Sequence, residues 1–434
     1  MRVGIIGGGL MGMALASRYA ADGHEVTIVE YADQAGGLAT WSDFGGFNWD
    51  RFHHVILPSD QQLIGFLRDL GMEDELEWNR TDTGFYVDNK LHSISSKREF
   101  LKFPLLSLFA KIKLGSAMRY ISSVNSWKPL EQVSCEQWLR EISGKENVEK
   151  LWKPLLLARF GPAYSRMSAV FIWSYIKRML SARKKSAGAG NLGHLRGGYE
   201  SVFRKIIQQI ADAGGRVLLE ENVLRVSATT DSVSIHTPLR SLNFDEVVCT
   251  SSVNVLQKIV DKGLLAVNHG VGNIEYLGVV CVVLVTTQPI TRFYKVNVAD
   301  ESIPFTGVVG MSNVVNTKNT RGYHLTYLPK YLLSTDPENG KPDGYYREAF
   351  LEGLERMFPD FEQKDIVSMH VHRAVNVQPL QVINYSSMVP SVNTNDPRFH
   401  VLNTSQFVNT TPNNNEVIGA VNSYYENIAA GRVS

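Results

Sequence analysis

The chain has 434 residues, 44% of them hydrophobic and 20% charged, with a formal net charge of +1. These are the fractions of an ordinary globular protein long enough for more than one lobe, and a charge so close to zero excludes a global field that would gather nucleic acid. Its three cysteines, Cys135, Cys249 and Cys281, are too far apart for a Cys-x-x-Cys redox or metal pair.

Arg2–Ile6 is predicted to be a short buried strand on which the sequence begins, so no cleaved leader is expected. Gly7-Gly8-Gly9-Leu10-Met11-Gly12 then turns into a helix over 13–21, ended by Gly23, and Glu25–Val29 is a second strand stopping at Glu30. This is a βαβ dinucleotide fingerprint in its full context. Gly7 permits the tight exit from the strand, Gly9 leaves room for a pyrophosphate, and Gly12 lets the helix lie close on the sheet. The helix start, from Leu10 and Met11, offers unpaired N–H groups to phosphate. Glu30 stands where a carboxylate accepts from both ribose hydroxyls and repels a 2′-phosphate, which disfavours NADP. A second glycine pair, Gly36-Gly37, followed by Leu38, suggests another close approach of backbone to the ligand and favours FAD over NAD.

Residues 44–50 form a glycine- and aromatic-rich turn, and His53-His54 follows it. Residues 97–114 are basic and apolar. They fit either an interfacial helix that guides a lipid-like substrate or a buried helix pair with basic flanks. Residues 129–183 are helix-rich, and a basic run at 178–185 leads into a Ser186–Gly190 link. Residues 191–250 return to α/β character, with a helix over 199–212 and strands over 216–219, 222–226, 233–236 and 244–249. Strands over 276–284, 307–311 and 323–327 are expected in a separate sheet. His370 and His372 alternate on one strand face, where a solvated pair is favoured over a metal site. Asn413 to Asn415 can cap a last helix running to about residue 430. Cys249 and Cys281 lie in apolar runs as core thiols, which suits a reducing, cytoplasmic compartment. No apolar run is long enough to span a bilayer.

The sequence resembles the two-dinucleotide-binding-domain flavoproteins, which include flavin amine oxidases, protoporphyrinogen oxidases and phytoene desaturases. The likeness is carried by Glu30 with Gly36-Gly37, by Trp49-Asp50-Arg51-Phe52-His53-His54, by Leu151–Leu156 with Arg159-Phe160-Gly161, by Leu195-Arg196-Gly197-Gly198-Tyr199, by 276–281 and by Asn403-Thr404-Ser405-Gln406. It implies an α/β fold: a Rossmann-like FAD-binding domain from 1–60, 191–262 and 395–434, a mixed-sheet substrate domain from 61–92 and 263–394, and a helical subdomain over 93–190. It implies FAD contacts from Val223 to the adenine and from Asn403, Thr404, Gln406, Asn415 and Val417 near the flavin. His54, Tyr294 and Asn297 are the candidate catalytic residues. His54 also fits a packing role and Tyr294 and Asn297 a surface-facing strand.

There are departures from the resembled branch: Gly310-Met311-Ser312-Asn313 replaces a Glu-His-Thr-Asn run, Tyr294-Lys295-Val296-Asn297 replaces Tyr-Trp-x-Asn, and Arg159 replaces Lys. The implied activity is FAD-dependent hydride transfer from a C–N or C–C bond of a small or lipid-like substrate to flavin N5. Alternatives are a redox-neutral isomerase resembling UDP-galactopyranose mutase and a non-catalytic lipid carrier of the Rab GDP-dissociation-inhibitor type. A place at the inner membrane face, reached through 97–114, accompanies the lipid-like substrate.

Overall fold

The computed structural model describes residues 1–185, 191–265 and 274–429; the Ser186–Gly190 link and residue 430, the expected end of the last helix, lie outside them. The first lobe is built on a five-stranded parallel sheet in the order Phe399–Val401, Glu246–Cys249, Arg2–Ile6, Glu25–Val29, Arg216–Leu218. Buried on both faces except at the edge strand Arg216–Leu218, these strands carry largely continuous apolar runs rather than alternating ones. The helices Leu10–Ala21, Gly198–Asp212 and Asn414–Ala429 share one apolar core with the central strands. A polar knot also joins that core to the sheet: the phenols of Tyr19 and Tyr424 both donate to the buried carboxylate of Glu246.

Several elements differ from expectation for local reasons. The first helix starts at Leu10, not residue 13, because Gly9 is already extended (ψ 175°) and caps it. The expected strand over 222–226 becomes an open crossing followed by Arg225–Ala228. Glu220 takes φ +55°, the N–H of Glu221 donates to the carbonyl of Glu30 at 2.9 Å, and the Glu221 carboxylate is held by the Thr237 hydroxyl. Residues 244–249 divide at Asp245 into the ends of two sheets.

The second lobe is a seven-stranded mixed sheet in the order Ile366–Pro379, Tyr276–Thr286, His324–Leu333, Gly307–Gly310, Lys295–Val298, Thr83–Val87, Lys90–Ser93. One face, with Val280, Val282, Val296 and Leu328, is covered by the helix Asp343–Met357. The other face, with Val279, Val283, Val309 and Tyr327, packs on Phe44 and Trp49. The helix Gln61–Asp69, expected with this lobe, instead buries Leu63, Ile64, Phe66 and Leu67 in the core of the first. Its apolar face matches the last helix, so chain 61–72 belongs there physically. Helices over 108–185 form a third cluster, against the sheet edge at Leu277 and Leu380. All three cysteines are buried and unpaired, and burial pushes the Cys135 thiol up to about 12 and that of Cys249 to about 11. Among the described residues no helix is long and apolar enough to cross a membrane.

Candidate functional site

A cavity of about 690 Å³ runs from the glycine turn to the far lobe, on the scale of sites that enclose small molecules and cofactors. Its floor is made by two interlocked glycine corners. The N–H of Gly36 donates to the carbonyl of Gly8 at 2.9 Å, and a Cβ on Gly37 (φ +55°) would lie 3.0 Å from the Cα of Gly9. The second glycine pair is therefore required first by its packing on the turn and only then by any ligand. Gly7, Gly9, Leu10, Met11, Glu30, Gly36, Gly37 and Leu38 all line the cavity. Gly12 does not: it sits under the turn, where a Cβ would lie 2.0 Å from the Gly7 carbonyl oxygen.

Glu30 is 7% exposed, and its carboxylate accepts from the N–H of Gly8 at 2.6 Å and of Ala32 at 2.9 Å. A carboxylate has about four acceptor positions. Two hold the turn, and the rest remain available to hydroxyl donors from the cavity. Val223 lines the adjoining wall.

At the other end Thr404, Asn414 and Val417 line the cavity. Asn403 and Gln406 support Thr404 from behind: the Asn403 side chain accepts from the N–H of Ser405, and the Gln406 side chain from that of Asn403. Asn413 accepts from the N–H groups of Asn415 and Glu416 and so caps the last helix, whose positive end is turned toward the cavity. Asn415 faces away, accepting from the N–H groups of Gln62 and Leu63. Arg51, Phe52, Thr250 to Ser252 and 371–376 complete the lining. Arg51 and Phe52 belong to the run that carries the resemblance, whereas sequence reasoning had no signal for 371–376, because the strand Ile366–Pro379 is half-exposed along most of its length.

The histidines fall differently from expectation. His54 borders a separate void of about 10 Å³ with Asp50 and Tyr199, room for at most about one water. Its Nδ1 lies 3.9 Å from Asp50 Oδ2, too long for a hydrogen bond, and has no other partner. Burial holds the imidazole down to about 4 and pushes the Asp50 carboxyl up to about 7. His370 and His372 are half-buried: they pack edge-on to Phe44, and burial takes His372 down to about 4. Among the described residues no cluster could hold a metal ion.

His53, not His54, turns to the sheet of the second lobe, its ring 6.1 Å from that of Tyr327. Burial, then Lys295, brings it down to about 3. Cross-strand partners share a face of a sheet, and one row reads Lys295, Val309, Tyr327, Val283, His370. Lys295 thus projects on the face of Tyr327. Over that face lie Arg159, whose guanidinium carbon is 4.0 Å above the Tyr331 ring, and Tyr175 of the helix Ala169–Lys185. Tyr294 is 8% exposed and its phenol is pushed up by burial, then by Tyr175 and Tyr331. Asn297 is half-buried beside Gly307, further along the strand. Tyr294 therefore joins a cluster between sheet and helical cap, here called the chamber, with Lys295 and Arg159 as members that sequence reasoning noticed only as departures.

The family described as flavin-containing amine oxidoreductase matches residues 10–400. A 15-cis-phytoene desaturase of Synechococcus elongatus is 25% identical over 251 residues, 54% of this chain and 52% of that protein; the match spans about half its length. The crystal structure of an oxidoreductase from Methanosarcina mazei superposes with a TM-score of 0.74 at 18% identity, covering 98% of this chain and 100% of that one. That of reduced UDP-galactopyranose mutase gives 0.66 at 14% identity, covering 89% and 84%.

Proposed function

From the premise that the chain belongs to the flavin-containing amine oxidoreductase family, with FAD as its cofactor, we propose that it oxidises a C–N or C–C bond of a small or lipid-like substrate by hydride transfer to flavin N5. The observation that carries this reading is the single cavity joining Gly9 and Glu30 to Thr404, Asn414 and Val417. FAD, when bound, supplies the hydride acceptor. Gly9 and Gly37 leave backbone room for the pyrophosphate, the N-terminus of Leu10–Ala21 favours its charge, and Glu30 receives the ribose hydroxyls. The capped start of Asn414–Ala429 favours negative charge at the opposite end. The helical cap keeps water from the chamber, where Tyr294, Tyr331 and neutral His53 orient the substrate.

The test is spectroscopic. The purified protein is expected to be yellow, and anaerobic mixing with amines, polyprenoids and sugar nucleotides in turn should bleach its visible band with one class. Protein that stays colourless after incubation with FAD overturns the reading. A redox-neutral isomerase is the second reading, favoured by the Arg159 and Lys295 cations, which suit a diphosphate. Conversion of a sugar nucleotide only after dithionite reduction would establish it.

Membrane contact belongs to the same proposal, with a cytoplasmic location supported by three unpaired thiols. The segment 97–114 buries Phe103, Leu106, Ala110 and Leu114 and turns its other side outward. Leu101, Leu108, Phe109 and Ile112 are 58–72% exposed, with Lys97, Arg98, Lys102 and Lys113 exposed around them, a pattern suited to an anionic lipid surface. Flotation with phosphatidylglycerol-containing vesicles is expected to carry the protein. Phe109→Glu should weaken the association by about tenfold, from the loss of one buried apolar side chain. Equal flotation of the variant overturns the assignment.

A further inference from the structure

Between the sheet and the cap lie two half-buried cations, Lys295 on the sheet and Arg159 above Tyr331. Lys295 has no hydrogen-bond or carboxylate partner among the described residues. Arg159 donates from Nη2 to the side-chain oxygen of Gln378 at 2.6 Å and lies over Tyr331, and likewise meets no carboxylate. The third nearby cation, Arg178, is already matched by Asp60 at 2.8 Å. His53 is neutral. Asp50, the acid that acts on Tyr327, has an Oδ1 that accepts from the N–H of Tyr199 and a charge reduced by burial. The field of the pair is visible in Tyr175. Its phenol is lowered, chiefly by Lys295 and against the effect of its own burial, while burial raises those of Tyr294 and Tyr327.

Two half-buried cations without counter-charge offer an anionic ligand charge-assisted hydrogen bonds that no protein group already takes. Tyr175 and Tyr331, with Tyr294 behind them, give the same region flat apolar rings with hydroxyl edges, and Tyr175 keeps 38% of its surface open. We propose that the chamber selects a substrate bearing an anionic group, a carboxylate or a phosphate ester, received by Lys295 together with Arg159 while the apolar body lies along the tyrosines. This rests on the oxidoreductase reading of the site and names its substrate class. Lys295 is the specificity-determining residue, because it stands on the sheet face itself, in register with Tyr327.

The test is calorimetric titration of the FAD-loaded protein with 3-phenylpropionate, phenyl phosphate, 3-phenylpropionamide and phenethylamine. One of the two anions is expected to bind at least about tenfold more tightly than the amide, the scale of a charge-assisted hydrogen bond, and the tighter anion decides between carboxylate and phosphate. Lys295→Met should bring anion and amide within about threefold of each other, while Lys295→Arg keeps the preference. Both variants should keep the flavin spectrum, since Lys295 lies outside the lining of the cofactor cavity. Equal affinity for anion and amide, tighter binding of the amine, or no heat from any of the four overturns the proposal while a yellow protein leaves the oxidoreductase reading intact. A protein that takes up no FAD overturns both.

Discussion

Gly12→Ala is expected to give a protein that retains no FAD and is destabilised by about 3 kcal/mol, the upper range for overpacking a filled site. The added Cβ would lie 2.0 Å from the Gly7 carbonyl oxygen and 3.1 Å from Thr250 Oγ1. Neither obstacle can swing aside. Gly7 is backbone at φ +106°, its N–H donates to the carbonyl of Val29 at 3.0 Å, and the Thr250 hydroxyl donates to the carbonyl of Ile6 at 2.9 Å. Relief requires the helix Leu10–Ala21 to lift from the sheet, which opens the core around Met13 and Ala14 and displaces the N–H groups facing the cavity. Gly9→Ala separates the two effects. A Cβ there meets only the Cα of Gly37, at 3.9 Å, so the fold should be unchanged, but the new methyl stands in the cavity. Its FAD affinity should fall by roughly tenfold to a hundredfold with no change in the urea midpoint of the apoprotein. Equal losses of stability in the two variants would refute this division of roles.

That contrast marks how far the sequence alone could be read. The period of the first thirty residues, the glycines and Glu30 are local features, and the turn they form is local too. Which of two adjacent histidines faces a chamber is not, because alternation assigns opposite directions to His53 and His54 without saying which is inward. The chamber itself brings together residues 53, 159, 175, 295 and 331 from five separated segments, and nothing in their neighbourhoods signals the meeting. Tyr294 and Asn297 stood out as members of a familiar run. Lys295 between them is informative only once the register with Val309 and Tyr327 gives its face. The strand Leu76–Arg80 escaped for another reason: it pairs with Asn191–Leu195, a contact made long after the segment in the chain, whereas Thr83–Val87 forms a local hairpin with Lys90–Ser93.

Asp60→Ala is expected to cost about 3–5 kcal/mol, the range for removing one partner of a buried ion pair, and to loosen the cap over the chamber. The Asp60 side chain is 3% exposed and Arg178 23%. Arg178 Nη2 donates to both carboxylate oxygens, at 3.1 and 2.8 Å, and Oδ2 also accepts from the N–H of Leu57 at 2.9 Å. Asp60 stands at the start of Gln61–Asp69, packed in the first lobe, while Arg178 is one helical turn beyond Tyr175 on Ala169–Lys185. The pair thus ties the cap to the cofactor lobe, and it fixes the height of Tyr175 over Lys295. Truncating Asp60 strands the guanidinium, whose Nε has no partner of its own, and the Leu57 N–H. Arg178→Met in the same chain removes the stranded charge, so the double variant should be more stable than Asp60→Ala alone. Urea unfolding of the four proteins measures the coupling, expected to exceed about 1 kcal/mol for residues in direct contact. Additive losses would mean that the contact carries no energy. Hydrogen exchange over 169–185 should rise in Asp60→Ala and return part of the way toward the parent in the double variant, because the stranded guanidinium adds to the loosening that the lost tie causes.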